Sequence, residues 1–106
     1  RQFLSGLTNQ RGDEWGSDRG LFARTVLQRV RAAVGPDAVV ALRFSADELA
    51  PWAGITPEAA PEVLLDLLGD SADPLVQLVT VVRGSIYSTA ATRPDGHTPP
   101  DLVALP

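Results

Sequence analysis

Ala38-Val39-Val40-Ala41-Leu42-Arg43 reads as a strand that is buried on both faces and then meets a charge. An apolar run with no polar alternation suits a strand covered from both sides, as in a parallel α/β sheet, where a guanidinium rarely belongs. In sheets of that class, ligands bind just beyond the carboxyl ends of the strands. The run predicts a strand over 38–44 and makes Arg43 the first candidate binding residue. The alternative has Arg43 leave the core and pair with Asp47 or Glu48 in the following loop.

Working upstream, Gly35 supplies a left-handed cap and Pro36 forbids continuation, so a helix over 18–35 stops there. Ser17 or Asp18 can accept from the free N–H groups of its first turn. Phe22, Val26, Val30, Ala33 and Val34 form its apolar stripe, and Arg24, Gln28 and Arg31 fall on the opposite face. Residues 1–17 carry Gly and scattered polar residues around Phe3, Leu4, Leu7 and Trp15, which predicts a loop held by apolar anchors.

Downstream, 45–55 is a polar loop in which 46–49 could form a single turn. Thr56-Pro57 is a helix entry signal, and a helix over 57–69 carries Val63, Leu64, Leu67 and Leu68 to Gly69. Pro61 falls inside that pattern, so the helix either starts late or bends. Residues 75–82 read as a second buried strand, and 84–106 as loop. Two strands joined through a crossover helix form a βαβ unit with a parallel pair. Such a pair leaves open edges and an uncovered face, which predicts a piece of a larger α/β protein whose remainder is required for folding.

Composition narrows the function classes. The 106 residues carry nine Lys and Arg against thirteen Asp and Glu, a formal charge of −4, which argues against a nucleic-acid or anionic-membrane partner. There is no Cys, hence no disulfide, thiolate ligand or Cys nucleophile within the chain, and a reducing cytoplasm is the expected compartment. No apolar stretch approaches bilayer length.

The stretch from Gln2 to Gly16, QFLSGLTNQRGDEWG, resembles the loop after the fourth barrel strand in flavin-dependent oxidoreductases of the Old Yellow Enzyme family, the NADH:flavin oxidoreductases. The resemblance continues through Val30-Arg31-Ala32-Ala33-Val34-Gly35 and Leu42-Arg43-Phe44-Ser45. It is most similar to the bacterial 2,4-dienoyl-CoA reductase branch, including members associated with mycofactocin clusters. Two departures stand out: the link from Trp15 to Phe22 is three residues shorter than the family spacing, and Gly20 replaces a helix former.

The resemblance implies a (β/α)8 TIM barrel, of which this chain supplies strands 5 and 6 with their preceding helices. It implies FMN at the carboxyl ends of the strands, with NAD(P)H as electron donor and an activated alkene or related small molecule as acceptor. Arg43 matches the strand-5 Arg that reaches the flavin, where a fixed cation stabilises the negative charge added on reduction. Gly84 and Ser85 follow the second strand as candidate cofactor contacts. Tyr87 falls near the position of an active-site His, and its hydroxyl is a candidate proton donor. An iron–sulfur cluster is allowed by the resemblance in the full-length protein, with no ligands in this segment. Two other readings remain: a non-catalytic scaffold that kept the α/β elements, and a different barrel enzyme using Arg43 for a phosphate or carboxylate.

Other residues read as structural. Asn9, Arg11 and Asp13 match the family motif, but bonding backbone groups to fix their loop is their expected role. Arg11-Gly12-Asp13 spells an integrin-binding tripeptide, with no accompanying sign of secretion. Asp47 and Glu48 read as a solvated loop pair, and Trp52 as an aromatic anchor packing its loop or covering a ligand. His97 has no partner cluster and is a poor metal candidate.

Overall fold

The computed structural model describes residues 2–84, a mixed α/β chain in the order α1 (Glu14–Ser17), α2 (Leu21–Val34), β1 (Ala41–Asp47), α3 (Ala60–Leu68) and β2 (Leu78–Arg83). The two strands pair in parallel, from Ala41 beside Leu78 to Asp47 beside Arg83, with an irregularity between Ser45 and Asp47 that leaves Ala46 unpaired. The expected strand, helix, strand order is therefore present, with α3 as the crossover. Both strands sit later than the apolar runs suggest. Val39, in the first run, is exposed, and pairing begins only where β2 is available to accept it. Arg43 consequently lies third in a seven-residue strand rather than at its end.

The helix ends follow their sequence signals. Gly35, at φ 83°, closes α2 and donates its N–H to Arg31 O at 3.0 Å. Gly69, at φ 78°, ends α3, whose Leu68 carbonyl accepts from Leu75 N–H at 2.9 Å. Such positive φ values favour a residue without Cβ. Of the two readings of Pro61, the late start holds: Ala60 is the first residue of α3 and Pro61 occupies its first turn, where its missing N–H costs nothing. Thr56 caps the turn before it, its Oγ1 accepting from Ala59 N–H at 3.3 Å.

The start of α2 differs from expectation. Neither Ser17 nor Asp18 caps it; Gly20 is the N-cap and offers no side-chain acceptor. Ser17 Oγ instead donates to Asp13 O at 3.0 Å within α1, a short helix inside the stretch expected to be loop. Asp18 pairs with Arg24, which also pairs with Asp66 of α3. The shortened link thus ends in a carboxylate–guanidinium–carboxylate bridge between two helices.

The core is a layer of Leu27, Val40, Phe44, Ala60, Leu67 and Val76, which packs α2 and α3 on one side of the strands. Among the described residues the expected stripe of α2 is not the one that meets the core: Phe22, Val26, Val30 and Val34 are exposed, and the face turned to the core carries Ala23 and Leu27. Apolar residues occupy two adjacent stripes of this helix, so spacing alone could not choose between them. Nor is Arg31 free on an outer face. Its Nη1 donates to Gly35 O at 3.1 Å and Ala38 O at 2.6 Å, and its Nη2 to Leu75 O at 2.9 Å and to Gln77 Oε1. The strands are not covered on both sides among the described residues, since Leu78 and Val81 stand exposed. No helix among the described residues is long and apolar enough to cross a membrane.

Candidate functional site

A cavity of about 540 Å³ opens between the N-terminal loop, α2 and the carboxyl half of β1. Phe3, Ser5, Arg43, Ser45 and Glu48 are among the residues that line it. Its volume is that of a small-molecule or cofactor site.

The N-terminal wall is a fixed loop. Asn9 is buried and donates its amide to Phe3 O at 2.5 Å and Trp15 O at 2.7 Å, while its Oδ1 accepts from Arg11 N–H at 3.2 Å. One side chain thereby satisfies three backbone groups, as its place in the motif suggested. Arg11 and Asp13 pair with each other at the surface, and Arg11 lies 5.8 Å over the Phe3 ring. The hydrogen bond from Arg11 holds the Asp13 carboxyl below its usual range. Phe3 stacks on Phe22 at 4.1 Å, and Trp15 meets Phe22 edge-on at 6.1 Å, so the anchors expected of this loop grip the start of α2.

Arg43 is exposed, and its guanidinium has no hydrogen-bond or ion-pair partner among the described residues. The two carboxylates that could have neutralised it are otherwise engaged. Asp47 accepts from Arg83 Nε at 2.9 Å through Oδ2 and from Leu49 N–H at 2.9 Å through Oδ1. Glu48, 2% exposed, accepts at Oε2 from Ser5 Oγ at 2.6 Å and from Ile55 N–H at 2.7 Å. The loop salt bridge proposed for Arg43 is therefore absent, and the solvated carboxylate pair is a misreading: one member is ion-paired across the sheet and the other buried. Consecutive side chains at the end of a strand point to opposite sides, which separates the two carboxylates, and Leu49 follows them in the left-handed region at φ 57°.

Gly84 is buried at the end of β2 at φ 104°, its N–H donating to Asp47 O at 2.6 Å and its carbonyl accepting from Ser45 Oγ at 2.9 Å. It therefore ties β2 to β1 beside the cavity. Ser85, Tyr87 and His97 lie outside the described residues. Trp52 is 77% exposed and does not pack its loop; the cavity does not include it. Sequence reasoning missed Ser5 and Glu48, which are buried and joined across 43 positions. The sequence around Glu48, Ser45-Ala46-Asp47-Glu48-Leu49, carries no local signal of its burial. No cluster of His, Cys, Asp and Glu among the described residues could hold a metal.

The described residues thus form a parallel α/β unit with a cavity of ligand-site size beside β1, lined by Arg43. The model of the NADH:flavin oxidoreductase / NADH oxidase family matches residues 1–95, and the chain belongs to that family. It is 47% identical over 53 residues to the N,N-dimethylglycine/sarcosine dehydrogenase of Chromohalobacter salexigens, covering 47% of this chain and 8% of that protein. It is 33% identical over 88 residues to the NADPH dehydrogenase of Clostridium acetobutylicum, covering 80% of this chain and 24% of that protein. The chain thus spans a quarter or less of the relatives' lengths. No solved structure matches it significantly.

The residues present fit a flavin in kind. The cavity is mainly apolar, as a ring system requires, and Arg43 brings planar donors and a charge that nothing described has cancelled.

Proposed function

We propose that this chain is part of an FMN-dependent oxidoreductase, contributing two strands and their preceding helices to a (β/α)8 barrel, with Arg43 as a flavin contact. FMN would supply hydride transfer between NAD(P)H and a small-molecule acceptor. The observation that carries the reading is Arg43 itself, a guanidinium lining the cavity while Asp47 and Glu48 are bonded elsewhere. An uncompensated cation beside a mainly apolar cavity favours a ligand that is negatively charged or becomes so. Asn9 and the Phe3–Phe22 stack would hold the loop wall in place, and the Asp47–Arg83 pair would fix the strands.

Gly84 and Ser85 are proposed as further cofactor contacts, and Tyr87 as the group that donates a proton to the acceptor. An activated alkene is the proposed acceptor. A second reading, oxidation of an N-methylated amine, is favoured by the identity to the dimethylglycine/sarcosine dehydrogenase.

The test is Arg43→Ala in the full-length protein, read by flavin absorbance and potentiometry. Loss of a charge-assisted contact is expected to weaken FMN about 10- to 100-fold and to move its reduction potential in the negative direction. Arg43→Lys should restore part of the potential, through charge, and less of the affinity, through the lost planar fork. Unchanged affinity and potential in Arg43→Ala would sink the assignment. Turnover of enones against N-methylglycines separates the two acceptor classes.

A further inference from the structure

Glu48 is the least expected group in the molecule. The residue is 2% exposed, borders the cavity, and has no cation against it among the described residues. An apolar side chain would fill such a place without the desolvation of a carboxylate, so a buried carboxyl of this kind needs a reason.

The hydrogen bonds supply one. Oε2 receives Ser5 Oγ from the N-terminal loop at 2.6 Å and Ile55 N–H from the loop before α3 at 2.7 Å. The Glu48 N–H donates in turn to Ile55 O at 2.9 Å, so Glu48 and Ile55 are locked reciprocally. A Cβ on Gly54 would stand 2.9 Å from Glu48 Cβ and 3.0 Å from Oε2, so the turn closes this tightly only because residue 54 has no side chain. Asp47 meanwhile points to Arg83 across the sheet and accepts the N–H of Leu49, whose φ is 57°, so Glu48 alone faces inward. Ser5, Ile55 and Glu48 all line the cavity that Arg43 lines.

We infer that Glu48 is a positioning residue for the cofactor site: it fastens the Ser5 loop to the Ile55 loop and so fixes the cavity wall against which Arg43 meets its ligand. This rests on the flavin reading of Arg43. One carboxyl oxygen holds both loops, and losing it frees two donors at once.

The experiment uses the full-length protein with FMN, comparing Glu48→Ala, Glu48→Gln, Ser5→Ala, Arg43→Ala and the Glu48→Ala/Arg43→Ala double variant. Glu48→Ala should weaken FMN at least about 10-fold and speed exchange of the Ile55 amide in the apoprotein by a similar factor, whereas Glu48→Gln, which keeps an acceptor oxygen, should stay within about 3-fold. The FMN penalty of Arg43→Ala should shrink in the Glu48→Ala background, because a misplaced wall already costs Arg43 its contact. Should Glu48→Ala fail to fold, Ser5→Ala carries the cycle, with an expected loss of about 5-fold. Strict additivity with Arg43→Ala overturns the positioning role alone. An Arg43→Ala variant with unaltered FMN binding and potential overturns the flavin reading and this role with it.

Discussion

Arg83 of β2 donates its Nε to Asp47 Oδ2 of β1 at 2.9 Å, so this carboxylate is paired across the sheet and not with Arg43. Asp47 is the carboxylate that sequence proximity offers to Arg43, yet the parallel register sets it beside Arg83. The irregularity at Ala46 assists, since Asp47 follows the unpaired residue and meets β2 again only at Arg83. Arg43, four residues earlier on the same strand, lines the cavity with no ion-pair partner among the described residues.

Asp47→Ala is expected to destabilise the protein by roughly 1–2 kcal/mol, more than Arg83→Ala at under about 1 kcal/mol. The ion pair is partly exposed, with side-chain accessibilities of 35% at Arg83 and 19% at Asp47, and so contributes modestly. Asp47 additionally accepts the N–H of the left-handed Leu49. Urea unfolding of both variants measures the difference. Equal losses would mean that the Leu49 bond adds nothing.

Arg31→Ala should cost about 2–4 kcal/mol, which is large for a helix residue outside the core. Its guanidinium holds three carbonyls, two of them on the segments leading into β1 and β2, together with the Gln77 amide oxygen that itself accepts Val40 N–H at 2.9 Å. Arg31→Lys should recover less than half of that, because one ammonium lacks the fork needed to reach both strand entries. Denaturant midpoints decide the ranking.

The parts of this structure that were legible in sequence are those fixed locally. Gly35 and Gly69 end helices because their backbone needs φ near +80°, and Pro61 could be read as permitting a late helix start, although Thr56-Pro57 precede α3 by a turn and do not open it. Asn9 could be read as a loop brace for the same reason. What failed depended on partners distant in sequence. The helix face chosen for burial, the three-residue displacement of β1, and the destinations of Asp47 and Glu48 are set by β2, α3 and Ser5. Arg43 emerged as a candidate from its contrast with the run before it. Glu48 did not, because a carboxylate in a polar loop looks ordinary until its burial is known.

Leu27 and Val30 lie on adjacent stripes of α2, and their truncations should separate this chain from its full-length context. Leu27→Ala removes a buried side chain and is expected to cost about 2–4 kcal/mol wherever it is measured. Val30 is 39% exposed among the described residues, and exposure of that degree would by itself make its replacement by Ala cost under about 1 kcal/mol. In the full-length protein a larger Val30 penalty is expected if further barrel elements cover the Phe22, Val26 and Val30 stripe. Thermal melting of both variants checks it. A small Val30 penalty in the full-length protein would count against the barrel proposal.

Acid should loosen the start of α2 first. The hydrogen bond from Arg24, with its charge in support, holds the Asp18 carboxyl below its ordinary range, and Arg24 is correspondingly raised and stays protonated throughout. A carboxyl with a lowered folded pKa contributes stability that is present above the unfolded value of about 3.9 and is lost as pH falls through the folded value. The loss therefore falls below about pH 4, with no change expected from this pair between about pH 5 and 8. Asp18 is exposed, so the effect is modest and salt-sensitive. Asp18→Asn should lower stability slightly at neutral pH and flatten the acid limb, and high salt should bring the two curves together. Urea midpoints at about pH 6, 4 and 3, in low and high salt, measure this directly. Parallel acid limbs for the parent and Asp18→Asn would place the acid sensitivity elsewhere, with the Arg11–Asp13 pair, where Asp13 is lowered in the same way, as the next group to remove.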